Sequence, residues 1–368
     1  MTGEPESAGA YSRAGVDAGQ AAEAVRGIGD WARKTFALRR GVGEVKLPLG
    51  LYANVVALDD RTGLAVSTDS VGTKVLVAQM MERYDTVGID CVAMNANDVI
   101  CVGAEPLTMV DYIGVERVDA AAIEQIGKGL YAGCEQANIT LAGGELAQVR
   151  ELVRGAETGY TFDLVGTCVG LVALDRVIVG QGVAPGDAVL GFESSGLHSN
   201  GYTLARRVLL EQGGLRLDQR VEDLGRTLGE ELLEPTRIYV REVLEILGSG
   251  IEVKALIHVT GDGLLNLARV QAPVGFEITS LPEPKPIFGL VQRLGQVPDA
   301  EMYAVFNMGV GFCVVVPDDA AQIERVTEIA ARHGTACHRI GRAVADEQRR
   351  VTIPSKSLTG MGDKFVKD

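Results

Sequence analysis

The chain has 368 residues, 46% of them hydrophobic and 23% charged, which is the balance of a folded globular protein of about two domains. Thirty-five lysines and arginines against 49 aspartates and glutamates give a net charge of −14, and no long basic run is present, so nucleic acid is not an expected partner. Because an acidic protein repels phosphate, a phosphorylated ligand would need Mg²⁺ or helix N-termini to bind.

The six cysteines are scattered without a CxxC pair, which predicts reduced, mostly buried thiols in a cytoplasmic protein. The start, MTGEPESAGAYSR, has no apolar signal segment. The longest uncharged stretch, 302–317, is 16 residues long, short of the roughly 20 that a membrane span needs. We therefore expect neither a secretion signal nor a membrane segment. The 46 glycines exceed the usual share of about 7% and predict tight turns, close backbone packing or phosphate-binding loops.

The first part of the chain is expected to be a mobile arm over residues 1–44, followed by a domain over 45–180. Apolar runs in this domain predict strands, and a 3.6-residue period predicts helices. The strands are expected at 64–68, 107–112, 139–142 and 164–174, and the helices at 86–102 and 119–137. Thr86 and Asp119 are the predicted N-caps of the two helices.

Glycine and proline are concentrated in GQGVAPGD at 180–187, which predicts a domain boundary. A second domain over 181–345 and a C-terminal tail over 346–368 follow. Strands are expected at 188–192, up to 259 and at 312–316, and helices at 202–212, 236–247, 264–270 and 318–333. Strands and helices mix without a strict βαβ rhythm, so the predicted fold class is α/β in α+β layers.

The segment STDSVGTK, residues 67–74, follows a predicted strand and carries the first candidate site. Asp69 offers a carboxylate to Mg²⁺, the backbone around Gly72 and Thr73 offers N–H groups, and Lys74 offers an ammonium, which together suit ATP. The spacing is not that of a P-loop, and a turn with solvated charges is the alternative.

The following helix carries Asp90, Asn97 and Asp98 in an otherwise apolar sequence. Positions 90 and 97 are two turns apart and share a face. Polar groups in so apolar a helix are costly unless they meet a ligand, a metal or a hydrogen-bond network, which favours a binding role over a stripe of surface polar groups.

Further oxygen ligands are expected where two more strands end. Asp111 closes one strand, and Gly143, Gly144 and Glu145 follow the next. Hard cations bind several oxygen atoms, so Asp69, Asp98, Asp111 and Glu145 are the predicted Mg²⁺ ligands, while Asp90, Asn97 and the two glycines are assigned to the nucleotide.

In the second half, SSGLHSNG at 194–201 leads into a helix. Its small residues allow backbone amides to face a phosphate monoester, with Ser195, His198 and Asn200 as added donors. A Ser- and Asn-capped loop with an incidental histidine is the alternative. His258, just before a glycine-containing turn, is either an acid–base group or a hydrogen-bonded structural residue.

Eight strings occur in family order between residue 11 and about residue 345. They are YSRAGVD at 11–17, STDSVGTK at 67–74, DTVGIDCVAMNANDVICVGAEPL at 85–107, GGE at 143–145, YTFDLVGTCVG at 160–170, GDAVLGFESSGLHSNGYTLAR at 186–206, HVTGDG at 258–263 and EMYAVFNMGVG at 301–311. Together they resemble the phosphoribosylformylglycinamidine cyclo-ligase family of purine biosynthesis.

The resemblance implies a homodimer of two-domain α/β subunits whose N-terminal sheets pair into a shared barrel, with ATP and a ribonucleotide in the cleft beside the C-terminal domain. It also implies that ATP phosphorylates the formyl oxygen of formylglycinamidine ribonucleotide and that an amidine nitrogen then closes the ring, with Mg²⁺ as cofactor. Lys74 and His258 are the candidate catalytic residues. The arm around 11–17 is expected to fold over the nucleotide.

Two departures from the family pattern are Ser70 and Asp262, which stand where relatives usually have glycine. Among related families, selenophosphate synthetase would have a reactive cysteine near its start, whereas the first cysteine here is Cys91. Thiamine monophosphate kinase lacks the YxxAGVD and SSGxHSNG strings, and a hydrogenase-maturation relative would end in a cysteine tail. The large formylglycinamidine ribonucleotide synthetase is several times longer. A non-catalytic nucleotide-binding relative would have lost the metal ligands.

Overall fold

Two β-sheets, each associated with its own helices, make up the computed structural model, which describes residues 18–153, 155 and 160–368. The first sheet has five strands in the order β1-β2-β5-β3-β4. The N-terminal elements are α1 Ala18–Thr35, β1 Asn54–Ala57, β2 Thr62–Ser70, α2 Val75–Met80, α3 Val87–Ile100, β3 Glu105–Val115, α4 Ala120–Ala137, β4 Thr140–Gln148 and β5 Phe162–Ala173.

The second sheet has eight strands in the order β15-β14-β13-β10-β12-β6-β11-β9, and a separate two-stranded ribbon joins β7 to β8. The C-terminal elements are β6 Ala188–Glu193, α5 Tyr202–Arg206, β7 Arg220–Val221, β8 Arg226–Thr227, α6 Leu228–Leu232, α7 Val240–Gly248, β9 Ala255–His258, β10 Val274–Ile278, α8 Pro286–Gly295, α9 Asp299–Val305, β11 Val310–Val316, α10 Ala320–Arg332, β12 Cys337–Ala345, β13 Val351–Ile353, β14 Leu358–Met361 and β15 Lys364–Lys367.

Helix α3 is the centre of the N-terminal half, since nearly all of its residues are buried. It packs on α4 at two glycines: a side chain at Gly88 or at Gly129 would collide with the backbone of the other segment. On the other side of α3, Gly166 of β5 allows close packing of the strand against the helix. A Cβ at this position would lie 2.6 Å from the Asn95 amide nitrogen. Part of the glycine excess is thus explained by close backbone packing.

The predicted α/β fold class is confirmed, and so is Asp119 as an N-cap, whose carboxylate accepts hydrogen bonds from two backbone N–H groups. Thr86 is the N-cap residue of α3, as predicted, but its hydroxyl is buried and makes no capping hydrogen bond. The predicted helix at 236–247 begins later, at Val240.

The tail predicted over 346–368 is a second error, since β13, β14 and β15 extend the C-terminal sheet. Their pairing starts from β10, whose parallel partner is β13. In the predicted arm, residues 18–35 form α1, and the nucleotide-covering segment 11–17 lies outside the described residues. None of the helices in the described part of the chain combines the length and the apolar character that a membrane span requires.

Candidate active site

Two carboxylates meet where β2 ends against α3. The backbone N–H of Asp69 donates to the Asn95 side-chain oxygen at 2.9 Å, and the Asn95 amide donates back to the Asp69 carbonyl at 3.2 Å, which ties the strand end to the helix. Asp98 lies one turn further along α3. Burial and the nearby Asp98 carboxylate raise the pKa of Asp69 to about 6, and a hydrogen bond from the Ser70 N–H opposes the shift. The two carboxylates therefore repel each other when both are ionised.

His258 ends β9 of the other domain and reaches the same pair. Its Nδ1 lies 2.9 Å from an Asp98 oxygen, and its Nε2 lies 3.5 Å from the Asn97 amide nitrogen. The ring is fully buried. Since an ionised carboxylate only accepts, Nδ1 is the donor in this contact, and Asp98 fixes the orientation of the ring.

Lys74 and Asp90 form a different kind of pair, since both side chains are 0% exposed. The Lys74 ammonium donates to Asp90 at 2.9 Å and to the carbonyls of Glu234 at 2.6 Å and His198 at 3.4 Å. Burial lowers the pKa of Lys74, whereas Asp90 opposes that shift. The sequence predicted direct contact of Lys74 with ATP. This geometry disagrees with that prediction, because the Lys74 side chain is not accessible.

Asp90 and Asn97 do share a face of α3, as predicted, but that face meets the C-terminal domain rather than an open cleft. One Asp90 oxygen accepts from the N–H and the hydroxyl of Thr236, both at 2.7 Å. The Asn97 amide donates to the Arg237 carbonyl and accepts from the Tyr239 N–H, both at 2.9 Å. Both side chains are fully buried, so the assignment of these two residues to the nucleotide is corrected to a contact between domains.

The 67–74 segment and the 194–201 loop, distant in sequence, lie against each other. A side chain at Gly72 would lie 3.8 Å from the Ser199 carbonyl, and the hydroxyls of Thr73 and Thr203 are 3.2 Å apart. Gly72 adopts a φ of 71°, which glycine accepts without strain. The two motifs are therefore in direct contact between the two domains.

Within this loop the three predicted substrate residues differ. His198 is buried, and its Nε2 accepts from the Ser195 N–H at 3.2 Å. Burial, followed by the nearby His258 and the cations Lys74 and Arg237, lowers the pKa of His198 well below its usual range. The His198 ring is thus a neutral part of the loop's own framework, which does not fit the predicted contact of this ring with phosphate.

Asn200 is half-buried and its side-chain oxygen would lie 3.4 Å from a Cβ at Gly261, so the loop faces the HVTGDG turn. The departure at Asp262 brings little net charge to this place, because its carboxylate accepts from Arg269 at 2.8 Å. The Ser195 hydroxyl donates to the Pro235 carbonyl at 2.5 Å.

The remaining predicted ligands lie at one sheet edge. Asp69 pairs with Gly166 of β5, Gly166 pairs with Asp111 of β3, and Asp111 pairs with Gly144 of the exposed edge strand β4. Neighbouring strands are about 4.8 Å apart, so Asp111 is roughly 10 Å from Asp69 along the sheet. Gly143 and Glu145 are exposed on β4.

Across the described residues, no three His, Cys, Asp or Glu side chains are placed to share one metal ion. The predicted site of four carboxylates is therefore not assembled, and the structure brings together only Asp69 and Asp98.

Three residues that the sequence did not single out hold the two aspartates in place. Asn95 fixes Asp69, and Ser199 and Thr236 surround Asp90. Asn95 lies in the same MNAND string as Asp98, so its polarity in an apolar helix was an available signal. Thr236 carries no such signal, because only the folded chain places it beside Asp90.

Comparison with known proteins gives matches over both halves. The family model for the N-terminal domain of AIR synthase related proteins matches residues 50–172, and the model for their C-terminal domain matches residues 184–354. A phosphoribosylformylglycinamidine cyclo-ligase from Methanothermobacter thermautotrophicus is 47% identical over 79% of this chain and 82% of the relative. One from Thermococcus kodakarensis is 45% identical over 93% and 97%.

The chain belongs to the phosphoribosylformylglycinamidine cyclo-ligase family. Solved structures support the fold expected of a cyclo-ligase: a thiamine-monophosphate kinase from Stenotrophomonas maltophilia superposes with a TM-score of 0.58 at 22% identity, over 87% of this chain and 93% of that one. The hydrogenase maturation protein HypE in complex with ATP gives 0.55 at 19% identity, over 80% and 82%. At such identities the likeness concerns the fold alone.

Proposed function

We propose that the chain converts formylglycinamidine ribonucleotide and ATP to aminoimidazole ribonucleotide, ADP and phosphate. The observation that carries this proposal is an identity of 40–48% to cyclo-ligases, with at least 82% of each of these relatives covered. The cleft agrees with it, since a carboxylate pair, a histidine and a loop of small residues converge there from both domains.

The reaction has two steps. The formyl oxygen attacks the γ-phosphorus of ATP, the bond to ADP breaks, and the oxygen gains a phosphoryl group. An amidine nitrogen then attacks the formyl carbon, the C–O bond breaks, and phosphate leaves with the oxygen. Ring closure occurs within one molecule, so a cleft that orders the substrate gains from a high effective molarity.

Asp69 and Asp98 fit Mg²⁺, which is usually bound by one or two carboxylates together with substrate phosphates. Their proximity leaves two like charges to be compensated, and the described part of the chain forms no lysine or arginine ion pair with either. When bound, Mg²⁺ would neutralise charge on the transferred phosphoryl group.

We assign His258, whose ring is fully buried, a positioning role through its contact with Asp98. Asp98 accepts from its Nδ1, and its Nε2 lies near the Asn97 amide. Asn200 and the turn around Gly261 supply donors on the opposite wall, where we place the ribose phosphate. Lys74 is assigned a positioning role through the buried pair with Asp90.

We also place the chain in a cytoplasmic homodimer joined through the first sheet. Alternation in β3 turns Met109 and Ile113 toward the helices and leaves Val110 and Tyr112, at 45% and 39% exposed, on the other face. Leu107 of the same strand is also exposed. An apolar sheet face of this kind fits pairing with a second copy into a barrel. Light scattering during gel filtration should give twice the monomer mass, and a monomer at all concentrations would contradict the proposal.

The activity is tested with purified protein, ATP, Mg²⁺ and synthetic formylglycinamidine ribonucleotide. Phosphate release and the aminoimidazole product should appear in equal amounts. Thiamine monophosphate and selenide, offered separately with ATP, should give no turnover. Turnover of either one, together with none on the formylglycinamidine substrate, would replace the proposed function by a related kinase or synthetase activity.

A further inference from the structure

Asn307 connects its own loop, before β11, to the 194–201 loop. All the donors and acceptors of its side chain are used. The residue is 3% exposed and precedes β11. Its amide nitrogen donates to the carbonyls of Gly196 at 2.9 Å and Leu197 at 3.3 Å. Its oxygen accepts from the Ser194 hydroxyl and the Gly309 N–H, both at 2.9 Å. An amide offers two donors and two acceptor positions, so none remains unused.

These bonds determine which way the loop's peptide groups point. In a planar trans peptide the C=O and the following N–H point in opposite directions. Because Asn307 draws the carbonyls of 196 and 197 toward itself, the N–H groups of Leu197 and His198 point away from it. Within the described residues, the backbone N–H groups of Leu197 and His198 have no protein acceptor. Buried N–H groups without partners are rare and are satisfied by water or a ligand.

Gly311, two residues beyond Gly309, supports the same arrangement by lacking a side chain. A Cβ at this position would collide with the Tyr239 hydroxyl and with the His198 ring. His198 itself has a φ of 64°, an uncommon value for a residue with a side chain. The NMGVG segment therefore shapes the 194–201 loop in two ways. Asn307 binds its carbonyls, and the absence of a side chain at Gly311 leaves room for the His198 ring.

We infer that Asn307 is a positioning residue for the substrate's phosphate group: it orients the free N–H groups of Leu197 and His198 toward the anion without touching it. Consecutive backbone N–H groups in such a loop form an anion-binding concavity. The inference rests on the proposed function and names a further residue on which substrate binding depends. It also gives the buried His198 a part in supporting the loop instead of contacting phosphate.

Asn307→Asp is the main test. The variant keeps the oxygen that accepts from Ser194 and Gly309 but places a carboxylate oxygen against two carbonyls, so the peptides of 196 and 197 should turn. We expect the KM for the ribonucleotide to rise about tenfold or more, with kcat and the KM for ATP within about twofold, because loss of one set of charge-assisted bonds affects binding of the phosphate alone.

Gln292→Glu is the matched control, since it also converts an amide to an acid in this domain, beside Asp299, without contact to the loop. It should lower Tm and leave both KM values unchanged. A purely structural role for Asn307 predicts that its variant behaves like this control, and a folded Asn307→Asp enzyme with an unchanged ribonucleotide KM would overturn the inference.

Ser194→Ala covers the case in which Asn307→Asp does not fold. It removes only the hydroxyl that donates to Asn307. A ribonucleotide KM about threefold higher is expected, with Tm little changed, as for loss of one hydrogen bond of about 0.5–1 kcal/mol. An unchanged KM would again contradict the inference.

Hydrogen exchange separates this inference from the proposed function. If the wild-type protein turns over no formylglycinamidine ribonucleotide, the proposed function has failed. Asn307→Asp and Ser194→Ala should still speed exchange of the 194–201 amides relative to Gln292→Glu, and ribose 5-phosphate should slow it only in the wild type and the control. Equal exchange in all variants would overturn the positioning role itself.

Discussion

Two acidic residues of helix α3, eight positions apart, have opposite surroundings. Asp90 is fully buried, and one of its oxygens accepts from Lys74, Ser199 and Thr236. Asp98 retains 13% exposure and faces a second carboxylate and a histidine. The first cluster is a closed ion pair between domains, whereas the second has excess negative charge at an accessible cleft.

The difference shows that residue type does not decide role in this helix. A buried charge persists only when it is paired and hydrogen-bonded, as Asp90 is. A pair of acids without a compensating cation is costly unless a ligand supplies one, which is the role proposed for Mg²⁺ at Asp69 and Asp98. Stability and catalysis are therefore expected to respond separately to changes at the two ends of α3.

The largest effect is expected from Lys74→Met. The change leaves Asp90 as an unpaired buried carboxylate, which should lower the free energy of unfolding by about 3–5 kcal/mol. Urea denaturation measures this, with Arg216→Met as the control, because the ion pair of Arg216 with Asp218 is exposed and screened by solvent. A stable Lys74→Met protein without ATP turnover would instead support a catalytic role for Lys74. It would contradict the view that the Asp90 cluster serves stability.

Asp98→Asn and Asp69→Asn should act on turnover instead. Each removes one charge from the open pair, so kcat should fall roughly 10²–10³-fold, as for loss of an electrostatic group in the site. The free energy of unfolding should not decrease, because a repulsion is relieved. Asp60→Asn, in an exposed turn, is the control. A kcat near that of the wild type at saturating Mg²⁺ would remove the carboxylate pair from the mechanism.

The smallest change is expected at the cysteines, all six of which are free and buried. Burial, together with the carboxylates of Asp111, Asp69 and Asp90, raises the pKa of Cys91 well above its ordinary value. Burial likewise raises the pKa of Cys134 to about 11. At pH 8 the native protein should therefore react slowly with a thiol reagent, since the thiolate is the nucleophile.

The denatured chain is the reference for that measurement, and its six thiols should react together. Peptide mapping of the first labelled cysteine sharpens the comparison. Early labelling of Cys91 in the native protein would show that water reaches the helix between the two acidic clusters, against the closed character of the Asp90 pair.

Several features were predictable because their causes are local. The helix over 120–137 follows from its apolar period and its Asp119 cap. Strand β5 was predicted from its run of Val, Leu and Cys, and its burial alternates along the strand. The strands of 351–367 were missed because their pairing starts from β10, about 75 residues earlier in the sequence. Asp111 and Glu145 were predicted to stand where strands end, but β3 continues to Val115 and β4 to Gln148, and β5 separates β2 from β3.

The amino-acid sequence by itself determined the family, the α/β class and the polar positions of α3, since motif strings and periodicity are properties of neighbouring residues. Only the tertiary structure decided which of those polar groups are buried and paired. Thr236 reaches Asp90 across 146 positions, and His258 reaches Asp98 across 160. Burial and pairing set the properties of a charge, and both depend on partners that the chain brings together only when it is folded.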